Sequence, residues 1–430
     1  SIFGHIIFCN FKRILIIFLQ LGQFIPPNLE QLVYILLLLL ILSAVFPLSG
    51  CLSPIQLNRQ AIVQGIGIDY QDGKYRLTFQ VFSPSDAAGG SNIGASADNA
   101  KIICSEGATV SDAVQNGVRV QGKELFIGQN RVIVLGMGAA QHDLEESIAY
   151  FGTNVASRQN AHILVSATTA EEIISMKINQ GILPAETLER ITENARMNGL
   201  AHSVRLFELR KTLDTQHESA VLPVISVKEE AAQTASDGQA GESVGSQSID
   251  QVSPFEIGET AVFSQNVFRG LLDKQQTRGM MWIRGEVEST SIQIQLKGNP
   301  ASLHIYRADS KLIPCEGSQK PEFNLSIMCH ATKEESSAAY DLYSNEEELL
   351  LALENAAEQN IRSECDAAFA DGAQALVCDF LNFGNILWQK NPSLFYTLQD
   401  NWDTALSDFI LNVDVTVQID RVGVEYGSGE

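Results

Sequence analysis

The order of apolar and polar positions divides the chain into segments of strand and helix character. Ala61 to Asp69 and Tyr75 to Phe82 are runs rich in Ile, Val and Phe, and Gln71-Asp72-Gly73-Lys74 between them carries an Asp-Gly pair. That pair suits the left-handed backbone of a tight turn, so the spacing predicts a β-hairpin. Ser85 to Asn99 is dominated by Gly, Ala, Ser and Asn and predicts a surface loop. Beyond it the period changes repeatedly. Ser111-Asp112 predicts a capped helix running toward Val120, Arg131 to Leu135 a short buried strand, Gln141 to Phe151 a helix, and Ala161 to Val165 another strand. Thr169-Ala170-Glu171-Glu172 sets acids behind a capping residue, where they face the positive end of a helix dipole, and a further helix runs from Pro184 to Met197.

From Leu206 the helical pattern resumes with Leu209 and Leu213, followed by the strand-like Val221 to Val227. Lys228 to Ser253 is rich in Glu, Ala, Ser, Gly and Gln with few large apolar residues, which predicts an exposed insertion. Glu259 to Phe263 and Met280 to Val287 read as strands, bridged by Phe268 to Arg278. A strand-rich section then begins near Ser289, with Ile292, Ile294 and Leu296 alternating, and continues through Ser302 to Tyr306 and Phe323 to Cys329. Glu346 to Phe369 places Leu350, Leu353, Ala356 and Ile361 at helical spacing and predicts one long helix packed on that sheet. At the end, Val413, Val415, Val417 and Ile419 alternate with Asp414, Thr416, Gln418 and Asp420, the signature of a half-exposed strand.

The strongest local signal precedes all of this. Leu32 to Leu48 is an apolar run near the short end of what spans a membrane, and it is followed by Leu48-Ser49-Gly50-Cys51. An aliphatic residue, two small residues and a cysteine resemble the lipobox of bacterial lipoproteins, in which small side chains let an extended backbone approach the modifying enzymes. Cys51 is the expected lipidation site, and residues 1–50 are read as signal peptide and upstream segment, outside the fold. Two acyl chains on one residue anchor stably where one chain would be marginal, each buried methylene contributing about 0.8 kcal/mol.

At 430 residues the chain should divide into two to four domains. The net charge of −22 repels nucleic acid, and an acidic balance otherwise reports solubility. After Cys51 the cysteines are Cys104, Cys315, Cys329, Cys365 and Cys378, with no CxxC and no zinc spacing; Cys315 and Cys329 are the candidates for a disulfide. Seven scattered histidines form neither HxxH nor HExxH, so no metal site is expected. Gly241-Glu242-Ser243-Val244-Gly245 matches G-x-S-x-G but lies in the polar insertion, without the strand and helix that expose a nucleophilic serine. Gly136-Met137-Gly138 sits between a strand and a helix, yet the third glycine of a dinucleotide loop is replaced by Gln141, and Gly65-Ile66-Gly67-Ile68-Asp69 fails in the same way at Tyr70. No cofactor and no catalysis are expected.

With the residues read in this way, the chain resembles the Ger(x)C family of spore-germination lipoproteins, the C subunits of germinant receptors. The resemblance runs from Cys51 through Ala61 to Asp69, Gly73-Lys74-Tyr75-Arg76-Leu77, Arg131 to Gly136 and Asn160 to Val165. It continues in Glu259 to Phe263, in Thr277-Arg278-Gly279-Met280-Met281-Trp282-Ile283 with Gly285, and in Asp379-Phe380-Leu381-Asn382-Phe383-Gly384. It implies an α+β fold of three successive mixed sheet-and-helix domains in an elongated arrangement: residues 51–205, residues 206–287 with the insertion at 228–253, and residues 288–430. It also implies a non-catalytic subunit on the outer face of the spore inner membrane, partnered by polytopic A and B subunits in a nutrient receptor. The competing expectation is a solute-binding lipoprotein feeding a transporter, which should show two doubly wound lobes. A lipid-anchored hydrolase needs a nucleophile or metal cluster that the sequence does not display.

Overall fold

The computed structural model describes residues 60–82, 100–176, 183–215, 218–228, 254–315, 320–335 and 343–420. The lipobox with Cys51, the segment from Ser85 to Asn99, the Gly241 to Gly245 motif and nearly all of the polar insertion lie outside the described residues.

The predicted hairpin forms from β1 (Gln60–Gln71) and β2 (Lys74–Phe82), paired in register from Gln71 opposite Lys74. Asp72 at φ 53° and Gly73 at φ 76° supply the two left-handed residues that let a two-residue turn match strand twist. β3 (Ala100–Gly107) adds antiparallel to β2, while β5 (Val132–Gly136) and then β6 (His162–Ser166) add in parallel on the other side of β1; β4 (Glu124–Phe126) also pairs with β1. Helices connect these strands: α1 (Val110–Gln121), α2 (Met137–His142), α3 (Leu144–Thr153), α4 (Ala170–Ser175), α5 (Pro184–Met197) and α6 (Leu206–Leu213). β7 (Ala220–Val227) is parallel to β6, and β8 (Phe255–Ser264) and β9 (Val267–Leu272) complete a nine-stranded sheet. That sheet runs across the expected boundary at residues 205 and 206, because the helices between β6 and β7 form a crossover within one sheet rather than a linker.

Central strands of this sheet are buried on both faces. On β5, Ile133 and Leu135 join a core with Phe79, Ile148 and Phe151, whereas Val132 and Val134 join Ile173, Ile174 and Leu188 on the opposite side. Period two therefore reads here as a continuous apolar run.

Three local expectations need correction. Met280 to Val287 is not a strand: α7 (Lys274–Arg284) occupies most of it. The Asp273 carboxylate accepts from the Gln276 backbone N–H at 2.8 Å, the Asp273 N–H donates to the Gln276 side chain at 3.0 Å, and left-handed Gly285 closes the helix. Met280, Met281, Trp282 and Ile283 are all buried, so the run loses the one-sided pattern that marks a helix. The helix expected from Gln141 to Phe151 is broken at Asp143, whose extended backbone ends α2 and whose carboxylate caps α3 through Glu146 N–H. The cap of α1 is Thr109, two residues before the expected Ser111.

The second sheet is an antiparallel meander of β10 (Thr290–Leu296), β11 (Asn299–Pro314) and β12 (Glu322–Glu335), with β13 (Ile410–Ile419) parallel to β12. The predicted long helix is α8 (Glu346–Asp366), extended by a π-helical segment (Ala367–Gln374) and lying on this sheet through Leu349, Leu353, Ala357 and Ile361. Its Glu358 and Glu354 accept from the Val417 and Ile419 N–H groups at 3.0 and 2.9 Å, satisfying donors on the free side of β13. α9 (Phe383–Lys390), α10 (Pro392–Leu398) and α11 (Trp402–Leu406) lead into β13. Cys315 and Cys329 are free thiols rather than a disulfide. Pro314 pairs with Phe323 and Ala308 with Cys329, which sets the two cysteines about 20 Å apart along the hairpin, far beyond disulfide reach. Among the described residues no helix is long and apolar enough to cross a membrane.

Candidate functional site

α7 and α8 meet around a buried ion pair. Arg278 reaches Glu364 at 3.1 Å, and the Trp282 indole N–H donates to the same carboxylate at 2.8 Å. Burial raises the Glu364 pKa, opposed by the Arg278 charge and by both hydrogen bonds. Between these side chains lies Gly279, where a Cβ would stand 1.8 Å from the Glu364 carbonyl oxygen. The glycine thus lets two helix backbones touch while Arg278 before it pairs with the carboxylate and Trp282 after it donates a hydrogen bond to the same group. Immediately before Arg278, Thr277 donates to Thr260 of β8 at 3.1 Å, tying α7 to the larger sheet.

A second acid organises the start of α9. Asp379 is 3% exposed, and its carboxylate accepts from the backbone N–H groups of Phe383 at 3.0 Å and Gly384 at 2.6 Å, with Asn382 held left-handed at φ 71°. Its pKa is pushed up to about 6: burial is the main cause, the Gly384 and Phe383 amides oppose it, and the charge of Glu218 adds to the rise. The Ser219 N–H donates to the Asp379 carbonyl at 3.3 Å, so the stretch leading into β7 is stitched directly to the stretch leading into α9.

These two stretches are the walls of a groove. Its three contiguous parts have volumes of about 290, 200 and 500 Å³, and Thr215 and Glu218 line all of them. One end has Asp379, Asn382, Trp388, Phe395 and Gln399 in its wall; the other has His202, Lys211 and Arg284. The positive end is partly neutralised from behind. Glu286 accepts from His202 at 2.5 Å and from Arg284 at 2.7 Å, and although burial would raise its pKa, these two partners bring it down to about 2.

On the larger sheet, Asp69 at the end of the first family-like block caps α4 through the Ala170 and Glu171 N–H groups at 2.8 and 2.9 Å. This explains Gly136-Met137-Gly138 without a nucleotide: a Cβ on Gly136 would sit 1.9 Å from the Asp69 carboxylate. Gly65 to Asp69 is the interior of β1. Among the described residues no group of three or more His, Cys, Asp or Glu is placed to hold a metal ion. Cys51, the expected lipidation site, lies outside the described residues.

Residues 53–227 match a family model described as spore germination protein N-terminal domain, and residues 258–423 match one described as spore germination B3/GerAC like, C-terminal. The chain belongs to the Ger(x)C family of spore-germination proteins. Spore germination protein KC of Bacillus subtilis (strain 168) is 22% identical across 90% of this chain and 96% of its own length. Spore germination protein B3 of the same organism is 20% identical, with 87% and 95% covered. The crystal structure of the GerBC protein is 15% identical, covers 83% of this chain and 96% of that one, and has a TM-score of 0.48.

Against the two Ger(x)C regions, the groove takes Thr215 and Glu218 from the first and Asp379 to Gln399 from the second. The sequence reading singled out the Asp379 to Gly384 block as a family signature but gave it only a structural role. Glu218, Trp388, Phe395 and Gln399 were not singled out, and no local motif marks them, since each becomes a wall residue only when two distant stretches meet.

Proposed function

We propose that this chain is the non-catalytic, lipid-anchored C subunit of a nutrient germinant receptor, held through Cys51 on the outer face of the spore inner membrane beside polytopic A and B subunits. The observation that carries this reading is the succession of the two spore-germination family matches along one chain, with spore germination protein KC aligned over nearly its whole length. Cys51 supplies the means. Only eight residues separate it from Gln60, where β1 begins, and a segment of that length spans at most about 30 Å. Lipid on Cys51 would therefore keep the start of β1 within that reach of the bilayer and raise the chain's effective concentration near membrane-embedded partners.

The test is a Cys51→Ala chain expressed in spores, compared with the wild type by fractionation and by co-purification from dormant-spore inner membranes in mild detergent. The wild type should sediment with membrane and recover polytopic receptor subunits, and the variant should do neither. Unchanged membrane association of Cys51→Ala would refute the anchor, and recovery of transporter subunits instead would refute the receptor role.

A further inference from the structure

The acidic end of the groove is a cavity of about 290 Å³, the lower end of the size range of small-molecule sites. Its wall combines the carboxyl residues Glu218 and Asp379 with the aromatic residues Trp388 and Phe395 and the amides Asn382, Asn385 and Gln399; among the described residues no Lys, Arg or His lines it. The combination is unusual in its electrostatics. Asp379 is buried, its described hydrogen-bond partners are backbone amides, and the charge of another acid, Glu218, adds to the rise of its pKa. Elsewhere in the chain a buried carboxylate is given a cation, as Arg278 is to Glu364. A cavity that gathers two carboxyl groups and offers aromatic faces is complementary to a positively charged guest, because ring faces and carboxylates both attract cations.

We propose that this cavity binds a small organic cation through a protonated primary amine. Glu218, half-buried in the wall, accepts the ammonium N–H groups; Asp379 in the floor adds its field; Trp388 and Phe395 cover the carbon skeleton of the guest. Glu218 and the aromatic residues belong to the two different family-matched regions, so an occupied site bridges them and stabilises the whole folded unit by mass action. The proposal stands on the cavity and not on the receptor assignment: failure of the co-purification experiment leaves it intact, and failure of the binding experiment leaves the receptor reading intact.

The experiment is titration of the full chain in detergent micelles with n-butylammonium, with n-butanol as its neutral counterpart and tetramethylammonium as a quaternary one, read by calorimetry and by ligand-induced shift in unfolding temperature. Saturable binding of n-butylammonium is expected, weakened at least about tenfold in n-butanol and in Glu218→Gln. Glu218→Gln should keep its unfolding temperature, since it removes a charge that repels Asp379, and Trp388→Ala supplies a second variant on the ring side, expected to bind more weakly. No saturable binding, equal binding of the alcohol, or unchanged affinity in Glu218→Gln would overturn the proposal. Tighter binding of tetramethylammonium than of n-butylammonium would overturn its primary-amine part, since a quaternary ion offers no N–H to Glu218.

Discussion

Replacing Arg278 by Met should destabilise the chain by an amount that depends on pH in a defined direction. In the wild type, Glu364 is held by Arg278 at 3.1 Å and by Trp282 at 2.8 Å, with side-chain exposures of 19% for the arginine and 8% for the glutamate. Removing one partner of a buried pair costs about 3–5 kcal/mol, and the partial exposure of Arg278 puts this pair near the lower figure. The variant has an escape: Glu364 can protonate. From an ordinary value of 4.5, doing so at pH 7 costs about 3 kcal/mol, which agrees with the first figure. A carboxyl whose folded-state pKa is raised stabilises the fold fully below its unfolded value and loses that contribution as pH rises through the folded value. Arg278→Met should accordingly approach wild-type stability near pH 4.5 and fall away toward pH 7. Adding Glu364→Gln keeps an acceptor for the Trp282 indole and removes the stranded charge, so the double variant should return to within about 1 kcal/mol of wild type at pH 7. Urea unfolding followed by tryptophan fluorescence at both pH values measures this, Trp282 being fully buried in the transition of interest. An Arg278→Met loss below about 1 kcal/mol at pH 7, or a double variant no more stable than the single, would show that the pair does not hold α7 to α8.

Gly136→Ala puts a methyl group 1.9 Å from the Asp69 carboxylate and should displace it from the two α4 amides, lowering stability by about 2–4 kcal/mol; a thermal midpoint unchanged to within about a degree would contradict this. Glu286, pulled down to about 2 by His202 and Arg284 against its burial, contributes stability that is complete above 4.5 and lost as pH falls toward 2. After allowance for its partial exposure this amounts to about 2 kcal/mol, so Glu286→Gln should flatten that part of the acid-unfolding curve, and a wild-type-like loss between pH 4.5 and 2 would remove Glu286 as its source.

Legibility from sequence followed how locally each feature is determined. The β1–β2 turn was readable because Asp72 and Gly73 must both be left-handed there, α5 because Pro184 fixes its start, and β13 because one face is wet and the other dry. α7 was misread for the opposite reason. Met280 to Ile283 are buried on every side, and the informative residues were the cap pair Asp273 and Gln276 and the terminator Gly285 rather than the apolar run. The continuity of the nine-stranded sheet across residue 205 was hidden because parallel pairing of β6 with β7 is a long-range choice, made through a crossover and leaving no local trace. The groove was hidden more deeply still, since the Ser219 to Asp379 hydrogen bond that brings its walls together joins stretches lying in different matched regions.

The net charge of −22 reads in sequence as a solvated surface, and for most acids that suffices. The buried and half-buried acids show what the excess conceals. Asp69 closes the positive end of α4, Glu286 bridges His202 and Arg284, and Glu364 anchors Arg278 and Trp282; each brings together elements that would otherwise end on unsatisfied donors or an unpaired cation. Asp379 caps α9 by the same logic, but its described partners are amides and the charge of Glu218 opposes its ionisation, so burial lifts it to about 6 while Glu286, bonded by His202 and Arg284, falls to about 2. Two carboxylates on one chain, Asp379 buried and Glu286 half-buried, are thus driven in opposite directions, the second by the cationic partners that bond it directly. The one driven upward borders a cavity, and that is where a cation arriving from outside would gain most.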